Sequence, residues 1–390
     1  MRTYERTHPW LTFRIDLRRA SYRLWVALGE AQSKCEHIAG VPLKPAVAKF
    51  LHQLFLAKGA LATTAIEGNT LTEEEVQLHL QNRLELPPSK DYLAQEIDNI
   101  VEACNGILNQ LAAGVSGDLT PQQIHDYNKL VLKNLSLPAE VIPGAIRTYE
   151  VSVGRYPGAP AQYCELLIER LCNWLNSEEF QPPAGYDLIY GLMKAIVAHL
   201  YLAWIHPFGD GNGRVARLVE YQILVASGIP STSAHLLSNH YNETRSEYYR
   251  LLDQASVSGG DILPFVEYAV RGFVEGLRNQ LDLIRIQQWE IVWCNYIDEH
   301  FRNLNGKADI RRHNLILDLS RTLNPAPPVP IGEIQEISPR VAAAYATKNR
   351  KTLLRDIEWL TSEGLVQNTP EGIVPNRDVI LAFLPLRKSS

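Results

Sequence analysis

Between Asp187 and Trp204 the chain is almost continuously apolar. Directly after it comes His206-Pro-Phe-Gly-Asp-Gly-Asn-Gly-Arg-Val-Ala-Arg217. A helix that is apolar on every face has to be buried on every face, so the run predicts a helix at the centre of a helical core. The polar stretch must then be the loop that turns the chain into a second helix, expected from Gly213 to Ser227. The most apolar segment, around Leu192–Ile205, holds Lys194 and His199. It is too short to cross a bilayer, so a core helix and no membrane contact are expected.

A chain of 390 residues is too long for one ordinary core, which predicts two or three domains. Its net charge of -5 and 46% hydrophobic content argue against a chain-wide nucleic-acid or membrane surface but permit a local basic patch. The five cysteines (Cys35, Cys104, Cys164, Cys172 and Cys294) show neither CxxC spacing nor an even count. That suggests reduced, buried thiols rather than a disulfide framework or a zinc site. Residues 1–30 lack the apolar stretch of a signal peptide, so a cytoplasmic location is expected.

Helical periodicity dominates the rest, which makes the fold class mainly α. Apolar residues recur at helical spacing from Pro45 to Ile66, with Gly68 as a left-handed stop. Thr72 and Glu75 form a capping box for the next helix, and Thr120-Pro121 starts another. Val141 to Pro160 differs: Gly144, Gly154, Pro157 and Gly158 surround the β-branched stretch Tyr149–Val153, which reads as a short hairpin. A Pro-rich segment at 324–330 punctuates the C-terminal third. Beyond it lies an amphipathic helix over 351–364. Two small strands, Leu365–Gln367 and Gly372–Val374, are expected after it, and helices followed by a hairpin suggest a winged-helix module.

The loop at 206–217 assembles a specific chemistry. A loop closing into a helix N-terminus presents unpaired N–H groups and partial positive charge, which suits a phosphate. Gly211 and Gly213 let the backbone approach an anion, and Asn212 adds a side-chain amide. Arg214 and Arg217 lie three apart on the following helix, so both can meet one polyphosphate. Asp210 offers a hard oxygen for Mg²⁺, and His206 can take a proton near neutral pH. Together these describe phosphoryl or nucleotidyl transfer.

The stretch resembles the signature of the Fic family, HxFx(D/E)GNGRxxR, at every defined position. The resemblance implies an all-helical core and transfer of AMP from ATP to a hydroxyl side chain of a target protein, with self-modification included. His206 would deprotonate that hydroxyl, and Asp210 would hold Mg²⁺. Gly211, Asn212 and Gly213 would bind the α-phosphate, and Arg214 and Arg217 the β- and γ-phosphates. The kinase branch of the family, Doc, has lysine at the position of Gly213, so the glycine favours AMP transfer.

Other segments carry the resemblance further. Thr63-Thr-Ala-Ile-Glu67-Gly-Asn69 resembles the family's inhibitory motif, (S/T)xxxE(G/N), which implies that Glu67 pairs with Arg217 and blocks the γ-phosphate position. The hairpin around Val151, Val153 and Gly154 resembles the flap that pins the target by strand addition; only Pro160 matches the double proline that often follows. Tyr248-Tyr249 resembles an adenine-side tyrosine pair, and Ser256 falls where relatives often have asparagine. His199 reads as a core histidine. Three domains are therefore expected: 1–115 with the inhibitory motif, 116–285 as the Fic core, and 286–390 as the winged-helix-like part. The basic residues Lys348, Arg350, Lys351 and Arg355 leave that last part open between DNA binding and homodimer or partner contacts, with Asp356, Glu358 and Glu363 diluting the charge. Two alternatives stand beside AMP transfer: a nucleotide-sensing transcriptional regulator, and an enzyme that mainly removes AMP with Glu67 positioning a water.

Overall fold

The computed structural model describes residues 3–153, 156–321 and 327–380. The chain divides into two units, Met1–Leu281 and Asp282–Ser390, each with its own apolar core. The first holds α1 (Thr3–Thr7), α2 (Tyr22–Gly40), α3 (Pro45–Ala65), α4 (Glu73–Leu80), α5 (Asp91–Ala112) and α6 (Pro121–Val131). A hairpin of β1 (Ser152–Val153) and β2 (Tyr156–Pro157) follows, then α7 (Cys164–Leu175), α8 (Asp187–Ile205), α9 (Asn212–Ala226), α10 (Leu236–Glu243) and α11 (Arg245–Val257). The long α12 spans Leu263–Phe301.

Local chemistry sets these boundaries. Pro45 opens α3, where a missing N–H costs nothing. Thr72 with Glu75 caps α4, and Thr120 with Gln123 caps α6, both as reciprocal capping boxes. Helix α8 is buried from Gly191 to Ile205 apart from Lys194 and packs along α9. Taken whole, its 19 residues are long and apolar enough to cross a bilayer. The sequence reading, based on the shorter apolar segment, expected otherwise. Here that surface is buried by helices α2, α7 and α9.

The segment expected to form a separate N-terminal domain shares this core. Ala57, Ala60 and Ile66 lie in the same buried cluster as Ile97, Ile196 and Val219, and α3 packs against α4, α5, α9 and α10. Leu51 and Phe55 of α3 are buried too, and burying a side chain of that size contributes about 1.5–3 kcal/mol, so α3 is anchored by its own packing.

In the second unit α13 (Lys307–Leu319), α14 (Pro339–Tyr345) and α15 (Arg350–Ser362) precede an antiparallel pair, β3 (Val366–Thr369) and β4 (Gly372–Pro375), in register Val366↔Pro375. Val329 adds a bridge to Ile373. Leu315, Leu353, Leu360 and Ile373 are part of its core. Asp356 does not dilute the basic start of α15: it is buried, accepting from Arg311 Nε at 2.6 Å, Arg312 Nε at 2.8 Å and the Tyr345 hydroxyl at 2.9 Å. None of the five cysteines forms a disulfide; four are buried and Cys294 is half-buried.

Candidate active site

The loop between α8 and α9 is held open by two left-handed residues. His206 ends α8 at φ 49°, ψ 60°, and its N–H closes on the Leu202 carbonyl at 2.9 Å. A non-glycine residue in this region costs about 1–3 kcal/mol and persists only where its surroundings enforce it. Gly211, at φ 78°, is the N-cap of α9. A side chain there would also crowd Asn128 Nδ2 and Val131 Cγ2, both 3.1 Å from an ideal Cβ. Asn128, fully buried, braces the loop by donating to the Asp210 carbonyl at 2.8 Å and accepting from the Gly144 N–H at 2.8 Å.

Asn212 has a task within the loop itself. Its side chain spans the loop, accepting from the Phe208 N–H at 2.9 Å and donating to the Phe208 carbonyl at 2.8 Å. It shapes the loop through its amide oxygen and one amide N–H. With Gly213 and Arg214 it forms the first turn of α9, whose N–H groups have no intrahelical acceptor. Asp210 Oδ1 accepts from the Gly211 N–H at 2.5 Å and from Arg214 at 3.2 Å, and the side chain is 47% exposed.

Both motif arginines are buried and both meet carboxylates from the N-terminal helices. Arg217 donates to Glu67 Oε1 at 2.5 Å and to the Thr63 carbonyl at 2.8 Å; Thr63 serves it through the backbone. Glu67, with a third of its side chain exposed, lies directly over Gly213, where any Cβ would collide with Oε1. Burial pushes the Glu67 carboxyl up and Arg217 pulls it down, leaving it below its ordinary range. It is therefore an anion seated at the N-terminus of α9. Arg214 donates to Glu96 Oε1 at 2.8 Å. The Nε groups of Arg214 and Arg217 are buried without hydrogen-bond acceptors. Two buried guanidiniums with spare N–H donors suit a polyphosphate.

The hairpin is pinned to the same loop. Val153 pairs with Tyr156 and Ser152 with Pro157, the Gly158 N–H donates to the Val151 carbonyl at 3.0 Å, and Gly154 lies outside the described residues. Arg147 is the clamp: its N–H donates to the Pro207 carbonyl at 3.0 Å, its Nε to the His206 carbonyl at 2.8 Å, one terminal nitrogen to the Tyr149 carbonyl at 2.5 Å, and the other to the Ala159 carbonyl. Buried among carbonyls, this guanidinium fixes both limbs of the hairpin to the turn at His206. His206 Nδ1 faces the Ala203 carbonyl at 3.4 Å. A carbonyl only accepts, which assigns the proton to Nδ1 and the lone pair to Nε2. Burial lowers the imidazole to about 4 against the upward pull of Glu67 and Asp210. His206 is thus a neutral base at pH 7.

The two tyrosines separate. Tyr248 is buried with its hydroxyl 2.9 Å from His199 Nε2, while Tyr249 is 43% exposed; their rings are 5.0 Å apart. His199 is fully buried with Nδ1 3.7 Å from Glu220, a core position as expected. Ser256 spends its hydroxyl on the Asp253 carbonyl within α11. Sequence reasoning missed Glu96, Asn128 and Arg147. Arg147 had a visible signal, a lone arginine entering a glycine-flanked hairpin; Glu96 and Asn128 lie on otherwise ordinary amphipathic helices.

The Fic/DOC family profile matches residues 118–224. The protein adenylyltransferase fic-1 of Caenorhabditis elegans is 32% identical over 209 residues, 54% of this chain and 38% of that relative, so the match spans about two fifths of the relative's length. A solved segment of Fic-1 from the same organism superposes at a TM-score of 0.54 with 26% identity, covering 67% of this chain and 73% of that one. A Fic family protein from Desulfovibrio desulfuricans shares the fold, at a TM-score of 0.56 over 90% of this chain and 92% of that one with 18% identity. The helical core around the α8–α9 loop, the signature at 206–217 and these likenesses agree: this chain carries a Fic/DOC-family domain.

Proposed function

We propose that the protein is an autoinhibited adenylyltransferase that moves AMP from ATP to a hydroxyl side chain of a protein, itself included. The observation that carries this reading is the Glu67 carboxylate over Gly213 and on Arg217, an internal anion in a cradle built for an external one. Named relatives are protein adenylyltransferases, and Gly213 leaves no room for the lysine of a kinase-type loop while Glu67 is present.

In the active form the first-turn N–H groups of α9 hold the α-phosphate, and Arg214 and Arg217 take the β- and γ-phosphates. His206 Nε2 accepts the proton of the target hydroxyl. The new bond joins that oxygen to the α-phosphorus, and the bond to the bridging oxygen of the β-phosphate breaks, releasing pyrophosphate. The N-terminus of α9 stabilises the charge that develops. Asp210 fits Mg²⁺ as a half-exposed carboxylate at the mouth of the cradle. No cluster of three metal-ligating side chains exists among the described residues, so phosphates and water would complete its shell, as is usual for this ion; it would neutralise phosphate charge. The edge of the hairpin at Val151–Val153 supplies a backbone template for an extended target segment. Buried free thiols suit a reducing compartment, the cytoplasm.

Incubation of Glu67→Gly with α-labelled and, separately, γ-labelled ATP tests the reading. Label transferred only from the α position supports it; label only from the γ position makes the protein a kinase and overturns it.

A further inference from the structure

Two carboxylates from the N-terminal helical segment reach the two motif arginines, and their surroundings differ. Glu67 lies on the open side of the α9 N-terminus. Glu96 comes from α5, which packs against α9, and its side chain is 14% exposed. It is also held: Asn69, buried, donates from Nδ2 to Glu96 Oε2 at 2.9 Å and to the Leu93 carbonyl at 2.9 Å, and accepts from the Leu71 N–H at 3.1 Å. A chain of hydrogen bonds thus runs from Asn69 through Glu96 to Arg214 and on to Asp210.

Arithmetic on the donors separates the two roles. Arg214 has five N–H groups. One meets Glu96, one meets Asp210, and Nε is buried without an acceptor. A polyphosphate therefore finds free donors on Arg214 while Glu96 still grips the other edge of the guanidinium. Arg217 offers no such separation, because Glu67 stands over Gly213 where the phosphates go.

We infer that Glu96 is a positioning residue that holds Arg214 toward the β- and γ-phosphates. Asn69, two residues beyond Glu67, ties that brace to the inhibitory turn. The same turn therefore blocks one arginine and aligns the other. This inference rests on the reading above that Arg214 meets the outer phosphates.

The test uses the full chain carrying Glu67→Gly, alone and with Glu96→Ala or Glu96→Gln. Binding of Mg-ATP and of AMP is measured by calorimetry, and folding by thermal melting. AMP lacks the outer phosphates, so it reports general damage to the pocket. Glu96→Ala is expected to weaken Mg-ATP binding about tenfold or more while AMP binding stays within about twofold. Glu96→Gln keeps the shape and one acceptor, so it gives a smaller loss of the same selectivity and covers a Glu96→Ala protein that does not fold. Equal weakening of both ligands, unchanged ATP binding, tighter ATP binding or a parent that binds no ATP would each overturn the inference. The transfer reading fails separately, if the Glu67→Gly parent binds ATP but adds no AMP.

Discussion

Glu67 Oε1 accepts a hydrogen bond from Arg217 at 2.5 Å while standing where a side chain on Gly213 would begin. One carboxylate thereby occupies both halves of an anion site, the helix N-terminus and the buried guanidinium. Removing it leaves Arg217 charged and without its carboxylate. The loss of a hydrogen bond to a charged group costs about 1.5–3 kcal/mol. Glu67→Gly should therefore melt below wild type without nucleotide and gain more than wild type when Mg-ATP is added, since ligand binding to the native state restores stability. Differential scanning fluorimetry with and without Mg-ATP reads this directly. Equal ATP-dependent shifts in the two proteins would show that Glu67 does not obstruct the site.

His206 is neutral because it is buried, which fixes the pH profile. With the imidazole near 4, kcat/KM should be flat above about pH 5.5 and fall toward pH 4, where protonation removes the acceptor. His206→Ala should lower the rate by about 10²–10⁴-fold with ATP binding intact. A profile that bends near pH 6.5 would place the base on an ordinary, exposed histidine.

The same burial bears on stability. His206, His199 and His235, the last lowered to about 3, are neutral in the fold but protonate near their ordinary value once unfolded. Their contribution is complete above about pH 6.5 and is lost as pH falls through the lowered values. Glu220, raised to about 8 by burial while Tyr241 donates to it, works in the opposite sense. Its contribution is present below the ordinary carboxylate range and is lost as pH rises toward 8. Chemical denaturation across pH 4–9 should show a maximum near about pH 6.5; stability rising steadily to pH 9 would contradict the buried neutral Glu220.

Arg147 joins the turn at His206 to both limbs of the hairpin. Arg147→Met removes all three side-chain links, and misplacing His206 by about 1 Å can cost about 100-fold in rate. The expected result is a large fall in kcat with little change in KM for ATP, partly recovered by Arg147→Lys. A rise in KM alone would assign Arg147 to nucleotide binding.

Much of this was legible in the chain. The run before His206 announced a buried helix, since no other placement satisfies an apolar surface on all sides. Gly211 and Gly213 announced a backbone approached closely, by Asn128 and Val131 at the first and by Glu67 at the second. The capping boxes at Thr72 and Thr120 are written in residues three apart. What escaped notice are groups that act across long sequence separations with no motif to mark them, as one marks Glu67: Glu96 reaches Arg214 over 118 positions and Arg147 reaches His206 over 59. At Asn212 the sequence showed only part of the role, because the loop uses the amide oxygen and one amide N–H to hold its shape. That α3 shares the core of the first unit escaped for a related reason: helical periodicity shows that α3 has an apolar face but not that the face belongs to the core of α8 and α9.

The central claim is that this site moves AMP and that Glu67 restrains it. Intact-mass spectrometry of wild type and Glu67→Gly, each incubated with Mg-ATP, tests it most directly. Glu67→Gly is expected to gain the mass of one or more AMP groups at least about tenfold faster than wild type, a difference of about 1.4 kcal/mol. Adding Arg217→Ala is expected to remove most of that gain. No added AMP on Glu67→Gly that demonstrably binds ATP, or equal addition to both proteins, would contradict the claim.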